Sequence, residues 1–171
     1  MSKVSKSQLK TPPHTTGHKT RVCNNCNERK AITRYELKKQ RWRARECLDC
    51  RSAGKRKRLS NSPHLYISNL YTQLAYRRRE THDYEITREY LYGLYETQKG
   101  ICAYSGVAMT NIKDGTGYHL SNISIDRIDN TKGYLEGNIA LVCLACNMMK
   151  YTLDLKDMKN WCKMITQHNE D

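Results

Sequence analysis

From Ser124 to Lys150 the chain reads SIDRIDNTKGYLEGNIALVCLACNMMK, and no other run constrains the fold as much, because four element signals follow one another at short spacing. Ile123, Ile125 and Ile128 with Asp126 read as a short strand and its turn, and Asn130 to Asn138, with Thr131, Gly133 and Gly137, as a loop. Ile139 to Val142 has the length of a buried strand, and Cys143 to Lys150 holds good helix formers. A strand, loop, strand and helix this small would cross the helix over the hairpin. Asp126, at the first strand's end, then approaches Asn147 in the helix's first turn. A carboxylate and an amide oxygen so placed suit Mg²⁺ or Mn²⁺, hard cations that take few protein ligands and keep waters for a phosphate to replace.

The cysteines carry the second signal. Cys23, Cys26, Cys47 and Cys50 form C-x2-C-x20-C-x2-C, a spacing at the upper limit of zinc ribbons, and four thiolates complete a closed tetrahedral Zn²⁺ site. Two disulfides are the alternative. The N-terminus is polar and basic with no apolar signal core, which argues for a cytoplasmic, reducing setting and against secretion, and so for zinc. Farther on, Cys102-Ala103-Tyr104-Ser105 and Cys143-Leu144-Ala145-Cys146 repeat the theme with one thiolate missing. Either Cys102, Cys143 and Cys146 bind zinc, with Cys162 or a histidine as fourth ligand, or they pack as small apolar residues.

Charge locates a partner. Residues 1–60 hold 18 Lys and Arg against four Asp and Glu, a net +14, while the remainder nets −1. Residues 1–20, with Lys, Ser, Thr and adjacent prolines, read as a disordered basic tail. Arg41, Arg43 and Arg45, then Lys55, Arg56, Lys57 and Arg58, flank the cysteines, where they can neutralise phosphates and release counterions. Nucleic acid, specifically DNA, is the expected partner.

The organisation reads as α+β. A zinc-knuckle DNA-binding module spans 21–60 and a helical linker 61–85, the latter starting at Asn61-Ser62-Pro63 and running through Leu65 to Arg79. Arg77, Arg78 and Arg79 end that helix, where positive charge suits its dipole and can follow a strand of DNA. Residues 86–171 form a further domain with helices over Arg88 to Gln98 and Leu155 to Gln167. In the latter, Met158, Trp161, Cys162 and Ile165 are expected to close the core. No apolar run is long enough to span a membrane.

The segment from Ser124 to Lys150 resembles the HNH nucleases, the ββα-metal or His-Me finger family, and in particular phage-type members with an Asp-Arg-Ile-Asp first motif. The resemblance extends over roughly residues 86–155, since ITREYLYGLYETQKGICAYSG, Ile86 to Gly106, looks like the family's lead-in helix and knuckle. It implies an α+β fold with a ββα-metal nuclease domain at 86–171. It further implies a metal-dependent endonuclease that hydrolyses DNA phosphodiester bonds, of phage or homing type. Such a protein would act in a host cytoplasm, among phage DNA-processing proteins.

By resemblance Asp126 and Asn147 are the ligands of Mg²⁺ or Mn²⁺, Asn138 is the middle Asn that braces the loop, and paired C-x-x-C knuckles carry structural zinc. One position departs. The family's general base is a His directly after the metal-binding acid, and here Arg127 stands there, protonated at any physiological pH with a pKa above about 12. Asp129, His119 or a hydroxide on the cation are the alternative bases. Arg127 and Lys150 are expected to touch phosphates. The alternative function is a non-catalytic, zinc-dependent DNA-binding regulator or DNA-processing accessory protein with a degenerate HNH fold.

Overall fold

The computed structural model describes residues 19–38, 42–78, 83–117 and 119–169. It mixes helices with three two-stranded antiparallel sheets, an α+β architecture, and divides between Arg56 and Lys57 into two units. Residues 1–18 of the expected tail lie outside the described residues, as do Arg41 and Arg79 and the side chain of Arg43.

In the first unit β1 (Thr20–Val22) pairs with β2 (Arg29–Ala31), and β3 (Tyr35–Lys38) with β4 (Trp42–Cys47). The chain then enters α1 (Leu48–Ser60). So short a segment has little apolar surface to bury. Its buried cluster consists of Cys23, Tyr35 and Cys47, with Cys26 and Cys50 packed against them. The Tyr35 hydroxyl donates to the Arg21 carbonyl at 2.8 Å, so burying the phenol leaves no donor unpaired. Outside this cluster ion pairs recur: Lys30 and Arg34 both reach Asp49, and Arg51 reaches Glu36.

The second unit has an extended apolar core. The segment 61–85, expected as a linker, contains α2 (Pro63–Arg78), and α2 is built into that core. Tyr66, Ile67, Leu70, Tyr71 and Leu74 recur at helical spacing, so the helix has an apolar face that must be covered. It packs with α3 (Arg88–Thr97), whose N-terminus is capped by Thr87 accepting the Tyr90 N–H at 3.0 Å. Beneath lie β5 (Ile123–Arg127) and β6 (Ile139–Cys143), antiparallel, with Asp126 opposite Ala140. A two-stranded sheet leaves unpaired edges, and β6 is buried along its whole length. Gln98 resolves the conflict. Its side-chain amide donates to the Leu141 carbonyl at 2.7 Å and accepts the Leu141 N–H at 3.1 Å, in effect a third strand one residue long.

From β6 the chain turns directly into α4 (Leu144–Lys150), then α5 (Leu155–His168), capped by Asp154. The expectation that α5 closes the core needs correction. Met158 is buried, but Trp161 and Ile165 are 56% and 59% exposed, and the buried cluster is drawn mainly from α2, α3 and the sheet. Between β5 and β6 the loop is drawn against residues 83–86. The Tyr134 N–H donates to the Asp83 carbonyl at 2.8 Å, and a Cβ on Gly133 would collide with that backbone. No helix among the described residues is long and apolar enough to cross a membrane.

Candidate functional site

Asp126 sits at the C-terminal end of β5 and is 6% exposed. Both of its polar contacts fall on Oδ2, a hydrogen bond from the Tyr104 hydroxyl at 2.7 Å and an ion pair with the Lys150 ammonium at 3.2 Å. Lys150 is fully buried, and its remaining bonds go to the Arg127 carbonyl at 2.8 Å and Asn130 Oδ1 at 3.2 Å. Lys150 was expected to touch phosphate; with no exposed surface it cannot, and it instead pairs the buried carboxylate. Burial, and then the bond to Asp126, push the Tyr104 phenol well above its ordinary value, so Tyr104 acts as a donor and not as a base.

Asn147 lies in the first turn of α4. Its Nδ2 donates to Ser124 Oγ at 2.6 Å and to the Ile125 carbonyl at 3.3 Å. Ser124 and Asp126 are two apart in β5 and share a face, so Asn147 bonds to β5 on the face that carries Asp126. The carbonyl of Ile125 can only accept, which settles which end of the Asn147 amide is nitrogen. Among the described residues neither Asp126 Oδ1 nor Asn147 Oδ1 takes a hydrogen bond. One carboxylate oxygen and one amide oxygen are the donor set a hard divalent cation prefers, so the residues present fit Mg²⁺ or Mn²⁺.

The loop is closed by Asn138. Its Oδ1 accepts the Asp129 N–H at 2.9 Å, while Nδ2 donates to the carbonyls of Asp129 at 3.1 Å and Gly133 at 2.9 Å. The other charged candidates are engaged. Arg127, next to Asp126 and so on the opposite face of the strand, donates to the Lys132 carbonyl at 3.1 Å and lies 5.4 Å from the Tyr134 ring centre. Arg78 approaches the same ring at 5.6 Å. Asp129 accepts the hydroxyl and the backbone N–H of Thr131 and pairs with Lys132. Those bonds, the Thr131 hydroxyl first, hold its carboxyl below the usual range, which makes it a weaker base. His119 Nε2 lies 3.0 Å from Asp114 Oδ1 in the loop before β5.

The cysteines form two clusters. Cys23, Cys26, Cys47 and Cys50 bring their sulfurs within 4.8 Å of one another, as do Cys102, Cys143 and Cys146. Either set could hold zinc. Neither Cys162 nor a histidine joins the second set among the described residues, so the fourth ligand expected there is not one of those. In the first cluster backbone N–H groups, that of Cys26 foremost, draw the Cys23 thiol down to about 6. In the second, burial opposes ionisation of Cys102. The Ser105 hydroxyl and the N–H groups of Cys143, Ser105 and Tyr104 outweigh it and bring the thiol to about 7. Sequence reasoning missed Tyr104, though it lies inside the quoted Cys-Ala-Tyr-Ser segment; Ser105 enters that reading as the residue in place of a thiolate.

Of the basic candidates, Arg45, Lys55, Lys57, Arg58 and Arg77 are exposed, whereas Arg56 and Arg78 are half-buried. Lys55, Lys57 and Arg58 form no ion pair among the described residues.

No family model matches the chain, and no curated protein does. A solved structure of the rare-cutting HNH restriction endonuclease PacI, which perturbs DNA, is similar over 85% of this chain and 93% of that one, at 19% identity and a TM-score of 0.42.

Proposed function

We propose that the second unit is a metal-dependent endonuclease of the HNH type that hydrolyses DNA phosphodiester bonds, and that the first is its zinc-bound DNA-binding module. The observation that carries this reading is that Asp126 and the Ser124 that holds Asn147 share one face of β5, with Oδ1 of Asp126 and of Asn147 outside every hydrogen bond among the described residues. A divalent cation held there would polarise the scissile phosphate and offset charge on the leaving oxygen. Lys150 and Tyr104 fix the carboxylate through its other oxygen, and Ser124 and Ile125 fix the amide through its nitrogen. Asn138 keeps the loop after β5 closed. Arg127 cannot accept a proton, and Asp129 is tied to Thr131 and Lys132. Of the side chains expected as base that leaves His119, whose Nε2 lies 3.0 Å from Asp114 Oδ1, beside the hydroxide expected on the cation. Exposed Arg45, Lys55, Lys57, Arg58 and Arg77 would neutralise phosphates, giving salt-sensitive, sequence-independent affinity. The finer assignment to phage or homing nucleases, with DNA-processing partners in a host cytoplasm, rests on the Asp-Arg-Ile-Asp resemblance.

A second reading has its own support. Asp126 is already neutralised by a buried ammonium, and Arg127 stands where a base belongs. Both suit a DNA-binding regulator without catalysis. Supercoiled DNA incubated with the full chain, with and without Mg²⁺ or Mn²⁺, separates the two. The nuclease reading expects metal-dependent nicking or linearisation that is lost in Asn147→Ala and reduced in His119→Ala, with circular dichroism showing both variants folded. DNA binding without cleavage by wild type, or full activity in Asn147→Ala, establishes that the nuclease assignment is wrong.

A further inference from the structure

The two cysteine clusters share a backbone design, bond for bond. In the first, the Cys23 N–H donates to the Glu28 carbonyl at 3.0 Å and the Asn27 N–H to the Cys23 carbonyl at 2.9 Å. In the second, the Cys102 N–H donates to the Val107 carbonyl at 2.9 Å and the Gly106 N–H to the Cys102 carbonyl at 3.0 Å. Each turn reverses through a left-handed residue, Asn27 at φ 57° and Gly106 at φ 70°, which Asn and Gly adopt most easily. The other half matches too. Cys47 ends β4 and donates its N–H to Cys23 Sγ at 3.3 Å, and Cys143 ends β6 and donates to Cys102 Sγ at 3.2 Å. Cys50 and Cys146 follow in the first turn of a helix. By this correspondence Ser105 occupies the position of Cys26.

The side chain of Ser105 agrees. Its Oγ is 3.7 Å from Cys143 Sγ, and the sulfurs of Cys102 and Cys146 lie within 4.8 Å of that sulfur. We propose that the Ser105 hydroxyl is the fourth ligand of a zinc ion held by Cys102, Cys143 and Cys146, which gives this site three sulfur ligands and one oxygen. Three thiolates leave this site one net negative charge fewer than four would, and a neutral hydroxyl is the weaker donor to a borderline-soft ion. Ser105 is also exposed, so water has access to that corner. The second site should therefore release zinc more readily than the first. Its occupancy bears on the Asp126 region, because Tyr104, inside the turn, donates to Asp126, and Asn147 directly follows Cys146.

The test is zinc stoichiometry and competition against a graded chelator on the full chain, with Co²⁺ charge-transfer intensity reading the thiolate count of each site. None of these measurements uses cleavage, so the result stands apart from the nuclease reading. Wild type should hold two zinc ions, one released at a chelator concentration at least about tenfold lower than the other, the low end of what losing even an outer partner costs a metal site. Ser105→Cys should remove that gap, and Ser105→Ala should widen it. Cys26→Ser should weaken the first site to the level of the second. One zinc per wild-type chain overturns the proposal, as does an unchanged affinity in Ser105→Ala, which would make water the fourth ligand.

Discussion

The two knuckles repeat one backbone pattern, yet their surroundings differ. Around Cys23 and Cys47 the buried residues amount to Tyr35 and the partner sulfurs. Around Cys102 and Cys143 the cluster continues into Ile67, Leu91, Leu141 and Val142. Burial of aliphatic side chains at about 25 cal/mol per Å² stabilises the second unit whether or not a metal binds. The first has almost nothing to draw on but its ligands. The same motif is thus the core of one unit and a patch on the core of the other. The units also treat charge differently: the ion pairs of the first lie at its surface, where each contributes little, whereas Lys150 and Asp126 in the second are buried together.

The largest effect expected from this contrast is loss of the first unit's fold on chelation or in Cys23→Ser. Structural zinc supplies apparent binding energies of about 10–16 kcal/mol, which here is folding energy. Hydrogen exchange should show residues 20–50 unprotected while β5, β6 and α3 stay protected. Equal loss of protection in both units would break the comparison. A smaller effect, confined to the second unit, should follow Lys150→Met, which leaves the Asp126 carboxylate buried without its cation, at a cost of about 3–5 kcal/mol. Urea unfolding monitored on second-unit probes reads that cost, and zinc retention by the first unit checks that it is unaffected.

The smallest effect concerns Asp129. Its folded-state value is depressed by Thr131, so its contribution is present above the unfolded-state value of about 3.9 and fades as pH falls through the lower folded value. The urea midpoint of Thr131→Ala should therefore lie below that of wild type at neutral pH, and the difference should shrink below about pH 4. A difference that is constant with pH would place the effect in packing.

Much of this architecture is legible in the chain. The Cys-x-x-Cys pairs, the acidic strand end, the loop with Asn138 and the helix carrying Asn147 are local patterns, set by side-chain periodicity and turn chemistry within a few residues. So is the start of α2 at Ser62-Pro63. What the residues do depends on contacts between segments far apart in sequence. Lys150 reads as a surface cation, but the crossing of α4 over β5 buries its ammonium against Asp126. Arg127 reads as a phosphate clamp, but strand alternation turns it towards Tyr134. The apolar face of α5 reads as core, yet Trp161 and Ile165 are exposed, while α2, read as a linker, contributes Tyr66 and Ile67 to the core. Tyr104 carries no signal of its own; it gains a role because the turn that holds Cys102 brings its hydroxyl to Asp126 in β5. Local pattern determined which elements form and which atoms can bind a metal. Tertiary packing alone decided which charges meet, because a charge leaves water only where the fold brings it a partner.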